Sequence, residues 1–322
     1  MKNKIDNITV IPIVFGISSY KLTSEEVEIF TNKIPYGIIL FSRNINSKTQ
    51  LIDLVTSIKN INSNIKIFVD QEGGVVQRIK YPLISQDYPC PRYFGDIYQK
   101  DKEKAISLVR KNYASLAADL RNFNIDSPCA PVSDLLYEYT DDVINTRSFS
   151  QDQNIVYDLS VIAIEKIIEQ DLIAFLKHIP GHGRAVCDSH KDLPVIDSAL
   201  SDLERADFKI FSDLAKNFAS EQNLYAMTAH IIYKNIDSKY PITLSKAGIR
   251  YIRNNIGFQG KIMTDDICMK ALPIAFGYSG SLENKLIDIT KRIVDKSLKA
   301  QVDIILHCSG NIAQIKAISS LF

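Results

Sequence analysis

The chain is 322 residues long, 46% hydrophobic and 23% charged, with a formal net charge of +1; that is the make-up of a globular protein with ample material for a core, and it argues against nucleic acid or another polyanion as a partner. Its five cysteines, Cys90, Cys129, Cys187, Cys268 and Cys308, are widely spaced and form no C-x-x-C pair, which fits reduced thiols in a cytoplasmic protein better than a disulfide framework. No stretch has the apolar length of a membrane span.

Lys2 and Lys4 ahead of the apolar run 8–17 imitate a short signal peptide, yet Pro12 interrupts the run and no A-x-A cleavage site follows, so it reads as a first strand over 9–15. Thr23 and Glu26 have the spacing of a capping box ahead of a short helix carrying Val27, Ile29 and Phe30. A buried strand follows at 36–41. Ser47 then caps a helix whose apolar positions Leu51, Leu54, Val55 and Ile58 recur at spacings of three and four. The third strand, 65–69, ends on Asp70-Gln71-Glu72-Gly73-Gly74, and a connection containing Pro and Tyr, 81–94, leads to a helix over 102–121. The fourth strand is short, near 125–128, and a long polar loop, 133–149, follows it; such loops are more often functional than idle. Helices at 151–170, 198–217, 245–255 and 282–299 alternate with strands at 172–176, 224–228, 261–264 and 302–306, and a last short helix closes the chain.

Eight strand-then-helix units predict a parallel sheet with right-handed crossovers, closed into a single (β/α)8 TIM barrel that takes up the whole of 1–322 as one domain. An open doubly wound sheet is the competing topology. The polar groups bunch at the carboxyl ends of the strands, where barrels hold their sites: Lys177 and His178 on the fifth, His230 on the sixth, Asp265 and Asp266 on the seventh, His307 on the eighth.

The densest group is 177–190, Lys-His-Ile-Pro-Gly-His-Gly-Arg-Ala-Val-Cys-Asp-Ser-His, which holds three of the five histidines. Successive strand side chains face opposite sides, so only one of Asp265 and Asp266 points into the barrel mouth. If that is Asp265, an ionised carboxylate there can attack an electrophilic carbon while Asp266 accepts structural hydrogen bonds or caps the residues that follow. The proton donor for the leaving group is best supplied by His190. Asp188 lies two residues away, on the same side if the loop is extended, and a carboxylate beside an imidazole fixes its tautomer and favours the protonated ring. Lys177, His178, Arg78 and Arg147 offer donors and Asp70 an acceptor, the mixed set that binds a ring of hydroxyls. The rival chemistry is a metal centre built from His178, His182 and His190 with Asp265; against it stand the cation-repelling Lys177 and the lack of a His-x-His or H-E-x-x-H pattern.

Seven stretches, in order along the chain, carry a resemblance: 36–44 (YGIILFSRN), 69–78 (VDQEGGVVQR), 130–134 (APVSD), 146–149 (TRSF), 177–194 (KHIPGHGRAVCDSHKDLP), 228–233 (TAHIIY) and 263–269 (MTDDICM). With them the chain resembles the single-domain β-N-acetylglucosaminidases of glycoside hydrolase family 3 that serve bacterial peptidoglycan recycling. The resemblance implies a (β/α)8 barrel that needs no cofactor and no metal. It implies hydrolysis of terminal, non-reducing β-linked N-acetylglucosamine, with retention of configuration, from small muropeptide fragments of the cell wall. It further implies Asp265 as the nucleophile, His190 as the acid/base and Asp188 as its dyad partner, with Asp70, Arg78, Arg147, Lys177 and His178 as contacts to the bound sugar. A histidine in place of the usual carboxylic acid avoids repulsion with an anionic acceptor, which leaves phosphate as a rival to water. Two departures stand out: Val75 occupies a position where many relatives carry a basic residue, and 133–144 aligns with nothing beyond its first two residues. With no export signal read, the expected location is the cytoplasm.

Overall fold

A computed structural model of the chain describes residues 10–278 and 285–322. Thr9, the expected start of the first strand, and 282–284, the expected start of the penultimate helix, lie outside the described residues. Seven parallel strands form one sheet: β1 (Val10–Gly16), β2 (Ile34–Leu40), β3 (Lys66–Val69), β4 (Ala174–Ile179), β5 (Leu224–Thr228), β6 (Ile262–Asp266) and β7 (Ile304–His307). They lie in the order β3-β2-β1-β7-β6-β5-β4. Apart from β3 and β4, which form the two edges, each neighbours the next in sequence, and the chain's first strand pairs with its last. Strand order therefore never reverses, and the switch point of an open doubly wound sheet is missing.

The two edge strands are joined by 125–133. On one side Val69 N donates to Ser127 O at 3.0 Å and Gln71 N to Pro128 O at 2.9 Å; on the other, Phe175 N donates to Ala130 O and Ser133 N to Lys177 O, both at 2.8 Å. The ring closes as a (β/α)8 barrel whose fourth stave is irregular. A regular strand was expected at 125–128, and only isolated bridges form there, Phe68 with Ser127 and Val132 with Lys177. Pro128 and Pro131 bring no N–H to a ladder, and Cys129 sits at φ +48°.

The helices follow their sequence signals. Thr23 and Glu26 exchange the two bonds of a capping box at the start of Ser24–Asn32. Ser47 caps Lys48–Ile61 through Gln50 N, and Leu51, Leu54, Val55 and Ile58 are its buried face. Three segments differ from expectation. The helix over 198–217 breaks at Ala206 into Leu200–Arg205 and Asp207–Asn217. The helix over 245–255 passes from an α-helix, Lys246–Tyr251, into a π turn, Ile252–Ile256, stopped by Gly257 at φ +84°. Pro91–Tyr98, inside the connection, is helical; Pro91 takes its first position, where a missing N–H costs nothing. None of the described helices is long and apolar enough to cross a membrane.

Strand alternation divides the core in two. Outward side chains such as Ile13, Ile38, Leu40, Ile67 and Leu176 pack beneath the helices. Inward ones, among them Val14, Ile39, Phe68, Phe175, Met227, Met263 and Leu306, fill the barrel. By the same parity the next inward positions are Lys177, after Phe175, and Asp265, after Met263. The apolar plug therefore ends where charged groups begin.

Candidate active site

Above that plug, at the carboxyl ends of the strands, opens a cavity of about 590 Å³, large enough for a sugar ring and part of its neighbour. Asp70, Arg78, Arg147, Lys177, His178, His190 and Asp265 all line it. Asp188 stands behind His190.

The floor of one side is a buried charge cluster. Lys177 Nζ lies 2.5 Å from Glu72 Oε1 and 3.9 Å from Asp70 Oδ1, while Arg147 grips the same Glu72 carboxylate from Nε (2.8 Å) and Nη2 (2.9 Å). Burial alone would raise the Glu72 pKa; Arg147 and Lys177 overcome it and hold the group well below the usual carboxylate range. Burial likewise opposes the Lys177 ammonium, and Glu72 and Asp70 hold its pKa above the ordinary value. Asp70 is also bridged to Arg78 Nη2 at 3.1 Å. Gly73 at φ +101° and Gly74 at φ +60° make the tight turn after Glu72, and a Cβ at either would run into Pro89 or Cys90.

Lys177 and His178 are consecutive and both face the cavity; the peptide bond between them is cis, and the pairing of β4 with β5 shifts register there. His178 Nδ1 is 2.7 Å from Oδ2 of the fully buried Asp134, and its Nε2 is 3.4 Å from Arg147 Nη2. His182 N donates to Asp134 Oδ1 at 2.6 Å. The His182 ring is buried, with Nε2 3.2 Å from Ser189 Oγ, and burial pushes its pKa down to about 4.

Asp265 and Asp266 are not equivalent. Asp266 Oδ1 accepts from the backbone N–H groups of Cys268 and Cys308, each at 3.0 Å, so that carboxylate ties down the chain after β6. Asp265 Oδ1 accepts one bond, from Asp266 N at 2.7 Å. Burial would raise its pKa, but His178, then His230, then the Asp266 N–H hold it down to about 2. His230 braces this strand tip from behind, with Nε2 3.0 Å from Asp266 O and Nδ1 2.7 Å from Thr243 Oγ1.

The Asp188 and His190 pair forms, by a different route from the extended loop expected. Residues 188–190 make a turn in which Asp188 Oδ1 accepts from His190 N at 2.8 Å and meets His190 Nδ1 at 2.7 Å. The His190 side chain is 58% exposed and that of Asp188 13%. His190 N–H leads the causes that, against burial, lower the Asp188 pKa. The first half of the loop is bolted to the region that aligned with nothing. Thr140 Oγ1 donates to Gly183 O at 2.5 Å and Asp141 N to Ala185 O at 3.1 Å. Arg184 Nε and Tyr137 Oη meet on Asp207 Oδ2 at 2.6 and 2.8 Å, which gives the break at Ala206 its use: it sets Asp207 at the head of a helix, facing the loop. A Cβ at Gly183 would strike the Leu135 carbonyl. Val75 is exposed at the cavity mouth.

The histidines weighed for a metal centre have their Nδ1 atoms committed at 178 and 190. Among the described residues no group of three or more His, Cys, Asp or Glu side chains is arranged to hold a metal ion.

The model of the glycosyl hydrolase family 3 N-terminal domain matches residues 1–322. The chain belongs to glycosyl hydrolase family 3. Two relatives named β-hexosaminidase are those of Thiobacillus denitrificans, 33% identical over 273 residues (84% of this chain, 74% of the relative), and Methylobacillus flagellatus, 31% identical over 305 residues (94% and 81%). The structure is similar to native NagZ from Neisseria gonorrhoeae at 28% identity, with a TM-score of 0.85 over 99% of this chain and 86% of that one. The same protein in complex with N-trifluoroacetyl-D-glucosamine matches at the same identity and TM-score. In this family 3 glycoside hydrolase two carboxylates of the site escaped the sequence reading, Glu72 and Asp134. Both lie inside stretches that carry the resemblance. For Glu72 the one available signal is charge balance, since Lys177 and Arg147 on one buried wall require an acid beyond Asp70; nothing of the kind points to Asp134.

Proposed function

We propose that this family 3 hydrolase is a retaining exo-β-N-acetylglucosaminidase that removes the terminal, non-reducing N-acetylglucosamine from peptidoglycan fragments, muropeptides with N-acetylglucosamine on an anhydro-N-acetylmuramic acid peptide, in the cytoplasm. The observation that carries the reading is the pairing of two groups on one sugar-sized cavity: the Asp265 carboxylate, facing it from the tip of β6, and the His190 imidazole held by Asp188. Support comes from the β-hexosaminidase relatives and from the gonococcal NagZ that binds a glucosamine derivative.

On this reading His190 protonates the glycosidic oxygen while Asp265 attacks the anomeric carbon through an oxocarbenium-like state, leaving a glycosyl ester. His190 then takes a proton from water, which attacks the same carbon and frees Asp265; two inversions amount to retention. Asp188 keeps Nδ1–H occupied, so Nε2 is the nitrogen that exchanges the proton. Lys177, His178, Arg78, Arg147 and Asp70 hold the ring hydroxyls, and their mutual bonds orient them before substrate arrives. An open mouth suits a terminal sugar whose peptide-bearing remainder stays outside.

The test is release of N-acetylglucosamine from a chromogenic N-acetylglucosaminide and from a disaccharide muropeptide, with the anomer of the first product read by NMR. The reading predicts both reactions and a β first product. An α first product, or turnover of other glycosides alone, overturns it.

A further inference from the structure

Asp134 reaches neither solvent nor the cavity, yet it is bonded to two residues that line it. We propose that Asp134 is a positioning residue that sets His178 in its Nδ1–H tautomer, so that Nε2 meets the substrate as a hydrogen-bond acceptor, and that pins the start of the loop carrying His190 to the same strand end. The inference rests on the sugar site proposed above and names the group that orients it.

Every side-chain contact of Asp134 is with an N–H donor. Oδ2 meets His178 Nδ1 at 2.7 Å and accepts from His178 N at 3.2 Å; Oδ1 accepts from His178 N at 3.1 Å and His182 N at 2.6 Å. A carboxylate so surrounded has no proton to give, so the ring proton sits on Nδ1. The other ring nitrogen lies 3.4 Å from Arg147 Nη2, a group that only donates, so Nε2 carries a lone pair. Lys177 and Arg147 beside it are donors too, and both oxygens of Glu72 are already taken. His178 thereby presents an acceptor beside the donors Lys177 and Arg147, and a substrate hydroxyl reaching its Nε2 must give its proton. The same carboxylate spans β4 and the loop after it through the His178 and His182 amides, which couples sugar contact to loop position.

The experiment uses protein labelled with 15N-histidine; with five histidines in the chain, His178 is assigned by its loss in His178→Gln. In the wild type near pH 7 the expected His178 signature is a protonated Nδ1 and a pyridine-like Nε2. Asp134→Asn keeps an oxygen for the backbone amides but turns an NH2 toward Nδ1, so the ring should switch to Nε2–H. With it, kcat/KM should fall roughly ten- to hundredfold, carried mainly by KM. A wild-type His178 that is protonated on Nε2 or on both nitrogens overturns the proposal, and this reading stands even if the variant does not fold. So does a folded Asp134→Asn protein with unchanged tautomer and KM. An enzyme with the expected tautomer that turns over no N-acetylglucosaminide sinks the proposed function and leaves the tautomer assignment standing.

Discussion

Lys177 Nζ sits 2.5 Å from Glu72 Oε1, with the two side chains 2% and 1% exposed, and Arg147 closes on the same carboxylate from the other side. One buried anion is thus shared by two cations that face the proposed sugar, with Asp70 3.9 Å from Lys177 Nζ as the further negative charge. Removing one member of such a group leaves the others desolvated and unpaired, which costs far more than breaking an ion pair in water.

Glu72→Gln keeps the shape and removes the charge. It should destabilise the fold by about 3–5 kcal/mol, read as a lower urea midpoint at unchanged slope. The exposed pair Lys209 and Asp213, 2.7 Å apart, is the control; Asp213→Asn should move stability by no more than about 0.5 kcal/mol. Equal, small shifts for both variants would show that the Glu72 cluster is not what braces this wall.

His190→Ala should discriminate between substrates. With a 4-nitrophenyl leaving group, which needs little protonation, kcat/KM should change modestly, whereas with a poor leaving group such as an alkyl alcohol or the muropeptide it should drop by roughly a hundred- to ten-thousandfold. Asp188→Asn should show the same pattern to a smaller degree. Losses of equal size on both substrates point to a structural role for His190.

His182 makes stability depend on pH. Its buried ring, whose Nδ1 has no partner, has its pKa lowered from 6.5 to about 4, so on acidification the unfolded chain takes up the proton first. The contribution is full above pH 6.5 and is lost as the pH falls toward about 4, a span of about 3 kcal/mol. The lowered pKa values of the buried His230 and His307 act with the same sign. Thermal scans between pH 8 and 5 should therefore show a falling midpoint, less steep in His182→Gln. Parallel slopes for the two proteins would remove His182 as a cause.

Much of the barrel was legible because its signals are local. Capping at Thr23 and Ser47 and the spacing of Leu51, Leu54, Val55 and Ile58 need only neighbours along the chain, and strand parity allowed only one of Asp265 and Asp266 to face the barrel mouth, without saying which. The fourth stave was misread because Pro128 and Pro131 replace a ladder with isolated bridges, and the Pro91 helix because a proline at a helix start looks like a loop. Asp188 and His190 meet through a turn and not through the extended loop expected, because the backbone bond from His190 N to Asp188 leaves no periodic trace. Glu72 and Asp134 were invisible as site residues for a different reason: Arg147 is 75 residues from the first and His178 is 44 from the second, and no local pattern carries such pairings.

On the proposed mechanism Asp265 bonds to the anomeric carbon. Incubation with a 2-deoxy-2-fluoro glycoside bearing a good leaving group, followed by peptide mass mapping, reads that bond directly. A single glycosyl adduct on the peptide containing Asp265, absent in Asp265→Asn, is the predicted result. A label on Asp266 or elsewhere, or steady turnover of N-acetylglucosaminides with no ester ever trapped, would contradict it and favour attack by the substrate's own acetamide.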